Sequence, residues 1–160
     1  KNIEILCKSV EIISRNFNYN FSIYITIDGT ENKYSKNIIK KYGYLENIKF
    51  IGKQKRQEVY SIYNYTDCLI FPSKLETWGM PLTEFRQFNK PILVSDLPYA
   101  HENIGDYNKV RFFNPYDPEE LASLMKDFLD SKLVYDNPKE TNYNQPYCKS
   151  WEELNNLIFK

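Results

Sequence analysis

Five glycines in 160 residues leave no room for a hidden glycine-rich phosphate loop, and no G-x-G-x-x-G or Walker sequence occurs. A single histidine, His101, and three scattered cysteines, Cys7, Cys68 and Cys148, form no C-x-x-C pair and no zinc spacing. A disulfide framework and a structural zinc site are therefore not expected, and free thiols suit a reducing, cytoplasmic setting. No apolar run approaches the roughly 18 residues that a membrane span needs. Lys1-Asn2-Ile3-Glu4-Ile5 lacks the apolar stretch of a signal peptide. Net charge is missing too: 21 Lys+Arg balance 21 Asp+Glu, so no bulk field gathers nucleic acid. No nucleophile elbow of the Ser-His-Asp kind is present, and no carboxylate cluster suggests a metal cage.

What remains is an ordinary globular composition, 42% hydrophobic and 26% charged, at the length of one domain. The 14 Tyr and 10 Phe, with abundant Asn and Lys, read first as compositional bias. Ile3, Leu6, Cys7, Val10 and Ile13 keep helical spacing, which predicts a helix over about 2–15. Phe21, Ile23, Ile25 and Ile27 alternate with polar residues as a strand that ends at Asp28-Gly29. A polar helix is expected from Asn32 to Tyr42, with Gly43 at a left-handed C-terminal position. A strand over 48–51 stops at Gly52, and Val59, Ile62 and Tyr63 mark the next helix. Cys68–Phe71 and Ile92–Val94 are apolar throughout, as strands buried on both faces are. A helix starts at Pro81, a short one spans Ala100 to Ile104, and Val110–Phe113 is a further strand. Asp117-Pro118 opens a helix with Leu121, Leu124, Met125 and Phe128 on its core face. Strands alternating with helices predict an α/β fold, a doubly wound parallel sheet with helices on both faces. This domain is expected over 1–130. A linker follows over 131–146, and a docking helix carrying Trp151, Leu154 and Ile158 over 147–160.

In such sheets ligands bind beyond the carboxyl ends of the strands. The loop after the 68–71 strand is Pro72-Ser73-Lys74-Leu75-Glu76-Thr77-Trp78-Gly79-Met80-Pro81-Leu82-Thr83-Glu84. It passes from a buried strand into the start of a helix, where free amides carry about half a positive charge and favour phosphate. Gly79 lets backbone approach a ligand closely. Glu76 and Glu84 flank this positive site, and carboxylates accept pairs of hydroxyl hydrogen bonds. The composite suits a ligand with hydroxyls at both ends and phosphates between, a nucleotide-sugar. The residues alone equally allow Glu84 as a helix-stabilising acid and Glu76 as a solvated loop residue.

The same stretch resembles the Glu-x7-Glu signature of GT-B glycosyltransferases, particularly the retaining family 4, or group 1, enzymes. Ser73, Glu76, Gly79, Pro81 and Glu84 match, Trp78 stands for a Phe and Thr77 for a Gly. Further segments resemble the family in order: Lys1-Asn2, Ile27-Asp28-Gly29, Ile48–Gly52, Tyr60–Ser73, Pro91–Ser95, Phe113–Leu121 and Ser150–Glu152. The resemblance implies the C-terminal, Rossmann-like donor-binding half of a GT-B fold. Glu76 would be the catalytic residue that accepts hydrogen bonds from the donor sugar. Amides from Trp78, Gly79 and Met80 would hold the sugar and distal phosphate, and Leu82 and Thr83 would meet the diphosphate. Glu84 would grip the ribose, Gly52 and Lys53 would border the base, and Lys1 would be the diphosphate lysine. The ligand would be a UDP- or GDP-sugar, with no metal or other cofactor. The family also has a strand and an arginine before that lysine, and an N-terminal acceptor domain. On that expectation this chain is part of a longer cytoplasmic polysaccharide-building enzyme with peripheral membrane association, is inactive alone, and leaves two strand edges unpaired.

Two rivals stand beside this reading: a non-catalytic binding module on the same fold, and a GT-B nucleotide-sugar epimerase. His101 reads as structural or as facing the cleft. Lys53, Lys55 and Arg56 read as a solvated loop or as compensation for a diphosphate.

Overall fold

A computed structural model describes residues 1–137, 148 and 150–159. Helices and strands alternate: α1 Ile3–Asn16, β1 Ile23–Ile25, α2 Lys33–Tyr42, β2 Ile48–Phe50, α3 Arg56–Tyr65, β3 Leu69–Phe71, α4 Met80–Arg86, β4 Ile92–Ser95, α5 Pro98–Ile104, β5 Val110–Phe113, α6 Pro118–Leu129 and α7 Trp151–Ile158. Every strand pair is parallel, as the alternation predicts. Helices cover both faces. β4 shows this best: Leu93 joins one core with Val10, Ile13 and Leu121, while Ile92 and Val94 join another with Leu82, Phe85 and Ile104. A strand whose successive side chains point oppositely must feed two cores in this way.

The sheet is not continuous. β1 pairs with β2, and β3-β4-β5 form a separate unit. The first core nonetheless spans both units, since Ile25 and Ile48 share it with Leu93 and Phe113. α1 supplies five of its apolar side chains to that layer, Ile5, Leu6, Cys7, Val10 and Ile13. The break corrects one expectation. β3 is not buried on both faces: Leu69 and Ile70 are half-buried, whereas all four residues of β4 are buried. Among the described residues β4 has a strand on each side, and β3 has one.

Gly43 is also corrected. Its backbone is right-handed, with φ −63°, not left-handed. Glycine is needed there for space, because a Cβ would fall 2.6 Å from the Ile39 carbonyl oxygen. The described start of the expected linker is tied down. The Asp136 amide donates to the Val110 carbonyl at 2.8 Å, and its carboxylate accepts the Phe112 amide at 2.7 Å. Asp136 thereby covers the outer edge of β5. The rest of the linker, 138–146, lies outside the described residues, as does 147 of the expected docking segment. α7 forms, capped by Ser150, but it buries none of its residues, and Trp151 is 80% exposed.

Candidate functional site

The β3–α4 loop is held from three directions. The Ser73 hydroxyl donates to Glu76 Oε1 at 2.6 Å, and the Lys1 ammonium lies 2.5 Å from the same oxygen. Burial raises the Glu76 pKa, but the hydrogen bonds from Lys1 and Ser73 outweigh it and hold the carboxyl below the usual range. Lys1 also sits over the Phe71 ring, 5.2 Å from its centroid. Glu76 and Lys1, expected at neighbouring parts of one ligand, are therefore in direct contact.

Behind the loop stands α5. The Tyr99 hydroxyl donates to the Ser73 carbonyl at 2.6 Å. Asn103, 6% exposed, donates through its amide to the Trp78 and Tyr99 carbonyls and accepts the Thr83 hydroxyl at 3.1 Å. Arg86 in turn donates to the Asn103 carbonyl at 2.8 Å and pairs with Asp106. Asn103 thus ties the loop before Gly79 to the helix after it. No sequence signal marks it, since a lone Asn in a short helix has neither motif nor periodicity.

Gly79 is buried and left-handed, φ +75°, and caps α4. A Cβ there would meet Leu82 at 3.4 Å and Asn103 and Tyr99 at 3.7 Å. Trp78 and Met80 are 53% and 59% exposed. Leu82 departs from expectation: its amide donates to the Gly79 carbonyl at 2.9 Å, and its side chain is fully buried. An amide spent inside the turn does not point at a ligand, so Leu82 packs the loop rather than lining it.

Glu84 faces the other flank. Tyr63 has its pKa raised by burial first and then by the Glu84 carboxylate. The Arg56 pKa is raised by its hydrogen bond with Tyr60 first, then by Tyr60 and Glu84 electrostatically. Arg56 stacks on Tyr60 at 5.7 Å, and with Lys55 and Gln57 they line an open hollow of about 640 Å³. Lys55 and Arg56 therefore belong to a basic wall beside Glu84. Lys53 is exposed in the turn before α3. Gly52 has φ +67°, and a Cβ would fall 2.9 Å from the Asp28 carboxylate, so its position fixes how the loops after β1 and β2 meet. His101 is held by Asp96 and by the Phe112 ring, a supporting role. Among the described residues no three His, Cys, Asp or Glu side chains gather as a metal site. Nor, among the described residues, is any helix long and apolar enough to cross a membrane.

The profile of the family described as "Glycosyl transferases group 1" matches residues 1–145. The chain belongs to the group 1 glycosyl transferases. Similar proteins include the O-antigen chain mannosyltransferase RfbU of Salmonella typhimurium, 29% identical over 51% of this chain and 23% of that protein. The serotype-specific mannosyltransferase WbdA of Escherichia coli is 26% identical over 76% of this chain and 14% of its own. The chain thus spans less than a quarter of either relative. Among solved structures, a Thermosynechococcus elongatus sucrose-phosphate synthase superposes with TM-score 0.62 at 14% identity, covering 79% of this chain and 33% of that one. A Listeria monocytogenes protein described as a UDP-N-acetylglucosamine 2-epimerase gives TM-score 0.63 at 16% identity, covering 86% and 37%. At these identities the two structures establish the shared GT-B, Rossmann-like fold.

Proposed function

We propose that this group 1 chain binds the donor of a retaining glycosyltransferase that moves a sugar from a nucleoside diphosphate to an acceptor hydroxyl. The observation that carries the reading is the β3–α4 loop, with one acid on each flank of a left-handed glycine. Glu76 accepts the donor-sugar hydroxyls, and Glu84 accepts those of the ribose beside the basic hollow of Arg56 and Tyr60. The amides at Gly79, Met80 and Thr83 take the diphosphate, aligned with the positive end of a helix. Transfer leaves a diphosphate, so the chemical demand is to stabilise growing negative charge with donors already in place. Lys1 supplies a cation. It rests on Glu76, so donor entry exchanges partners: Lys1 turns to phosphate and releases Glu76 to the sugar. Mannose, named in both sequence relatives, is the first sugar to test.

Calorimetric titration with UDP, GDP and their sugars tests this. One nucleoside diphosphate should bind, and Glu84→Ala should weaken it roughly 10–100-fold, the effect of losing hydrogen bonds to a charged group. No binding by folded protein, or equal binding by Glu84→Ala, would favour an interaction module instead.

A further inference from the structure

We propose that a second hollow, at the carboxyl ends of β4 and β5, is a carbohydrate subsite that takes a neutral hexose ring of the acceptor, an assignment resting on the glycosyltransferase reading above. The hollow, open to solvent, measures about 340 Å³, with Asp96, Phe112, Pro115, Tyr116 and Glu120 in its lining. That is within the size of small-ligand pockets, roughly 300–1,000 Å³.

Each of its two acids has one oxygen fixed by the protein. Asp96 Oδ1 lies 2.5 Å from His101 Nε2, and the His101 ring stacks on Phe112 with centroids 4.0 Å apart. Glu120 Oε2 accepts the Asn114 amide at 3.0 Å. The second oxygen of each has no partner among the described residues, and an ionised carboxylate only accepts. Asp96 is exposed, so its free oxygen can take an O–H or N–H donor from water or from a sugar hydroxyl alike. Tyr116, 71% exposed, adds an aromatic face, with Phe112 and Pro115 beside it. A hexose has hydroxyls along its rim and C–H groups on its faces, which matches acids at an edge and rings on a wall. Two carboxylates disfavour a phosphate, so this is not a second anion site.

The hollow adjoins the donor loop. Lys74 of that loop lies 4.1 Å over the Tyr116 ring, and the Asn2 amide donates to the Pro115 carbonyl at 2.8 Å, next to the Lys1 that holds Glu76. A ring bound here therefore lies beside the loop assigned to the donor sugar. That donor sugar is the other source of the same chemistry, and the test separates them.

The chain is titrated with methyl α-mannoside and α-mannobiose, with and without UDP or GDP, and amide resonances are followed by NMR. The expected result is movement at Asp96, Asn114 and Tyr116, weakened about tenfold in Tyr116→Ala and Asp96→Asn. The Tyr116→Ala spectrum otherwise matches the parent, since that side chain is largely exposed, while Asp96→Asn also moves His101, which Asp96 holds, and Phe112, on which His101 stacks. Sugar binding should survive Glu84→Ala and nucleotide diphosphate. Three results would overturn the subsite: no sugar binding, unchanged affinity in both hollow variants, or loss of sugar binding in Glu84→Ala. Sugar binding at the hollow with no nucleotide binding would keep the subsite and overturn the donor reading instead.

Discussion

Glu76 and Glu84 occupy similar places in the sequence and different electrostatic settings. Glu76 already holds a cation and a hydroxyl, and these depress its pKa. A depressed carboxylate contributes stability above its unfolded pKa and loses it as pH falls through the folded value. The Lys1–Glu76 contact should therefore persist at neutral pH and part only in acid below the ordinary carboxylate range. A 13C titration of the Glu76 carboxyl should give a midpoint lower than that of an exposed glutamate. A normal midpoint would mean that Lys1 does not rest there in solution. Asn103 carries a second prediction. Asn103→Ala removes the donor to the Trp78 carbonyl and the acceptor of the Thr83 hydroxyl, part-buried hydrogen bonds worth about 0.5–1.5 kcal/mol each. Thermal unfolding should shift down by several degrees, and unchanged stability would show that the loop is not held from α5. The two glutamates and Gly79 were legible because their chemistry sits at fixed spacing. Asn103 was not, because its partners lie 20 and 25 residues away along the chain and meet it only in space.

Hydrogen-bond direction explains what the elements show. In β1 the Ile23 amide bonds to Asn47 and the Ile25 carbonyl accepts from Ile51, so both residues face β2. Strand alternation turns the Tyr24 groups the other way. In β3 the Leu69 amide faces β4, which turns the Ile70 groups outward. Neither outward edge meets a strand among the described residues. Hydrogen exchange should be faster at Tyr24 and Ile70 than at Ile25 and Phe71, and equal protection would mean that the edges are covered. Helix and strand existence followed from apolar period, but the half-burial of β3 did not. An apolar run signals burial but does not report how many strands lie beside it. Glycine was legible as a turn mark and not for its reason: Gly43 yields space to a carbonyl, and Gly79 supplies a left-handed cap. Gly79→Ala should cost roughly 1–2 kcal/mol through that backbone conformation. A neutral result by chemical denaturation would show that the loop rearranges at little cost.

At the scale of the molecule, two cores either side of parallel strands leave one end of the sheet for loops, and those loops carry the acids, the basic hollow and the left-handed glycine. The outer edge of β5 is closed by Asp136, while β1 and β3 each have one edge that meets no strand among the described residues. α7 presents Trp151, Leu157 and Ile158 to solvent. Its amphipathic spacing was readable, and none of its residues is buried. The central claim is that the start of α4 holds a diphosphate between two acids. The most direct measurement follows the amide resonances of Trp78, Gly79, Met80 and Thr83 while uridine, UMP and UDP, or the guanine series, are added. The account predicts shifts that grow with the second phosphate and need roughly 10–100-fold more ligand in Glu84→Ala. Shifts confined to other loops, or equal for nucleoside and diphosphate, would contradict it.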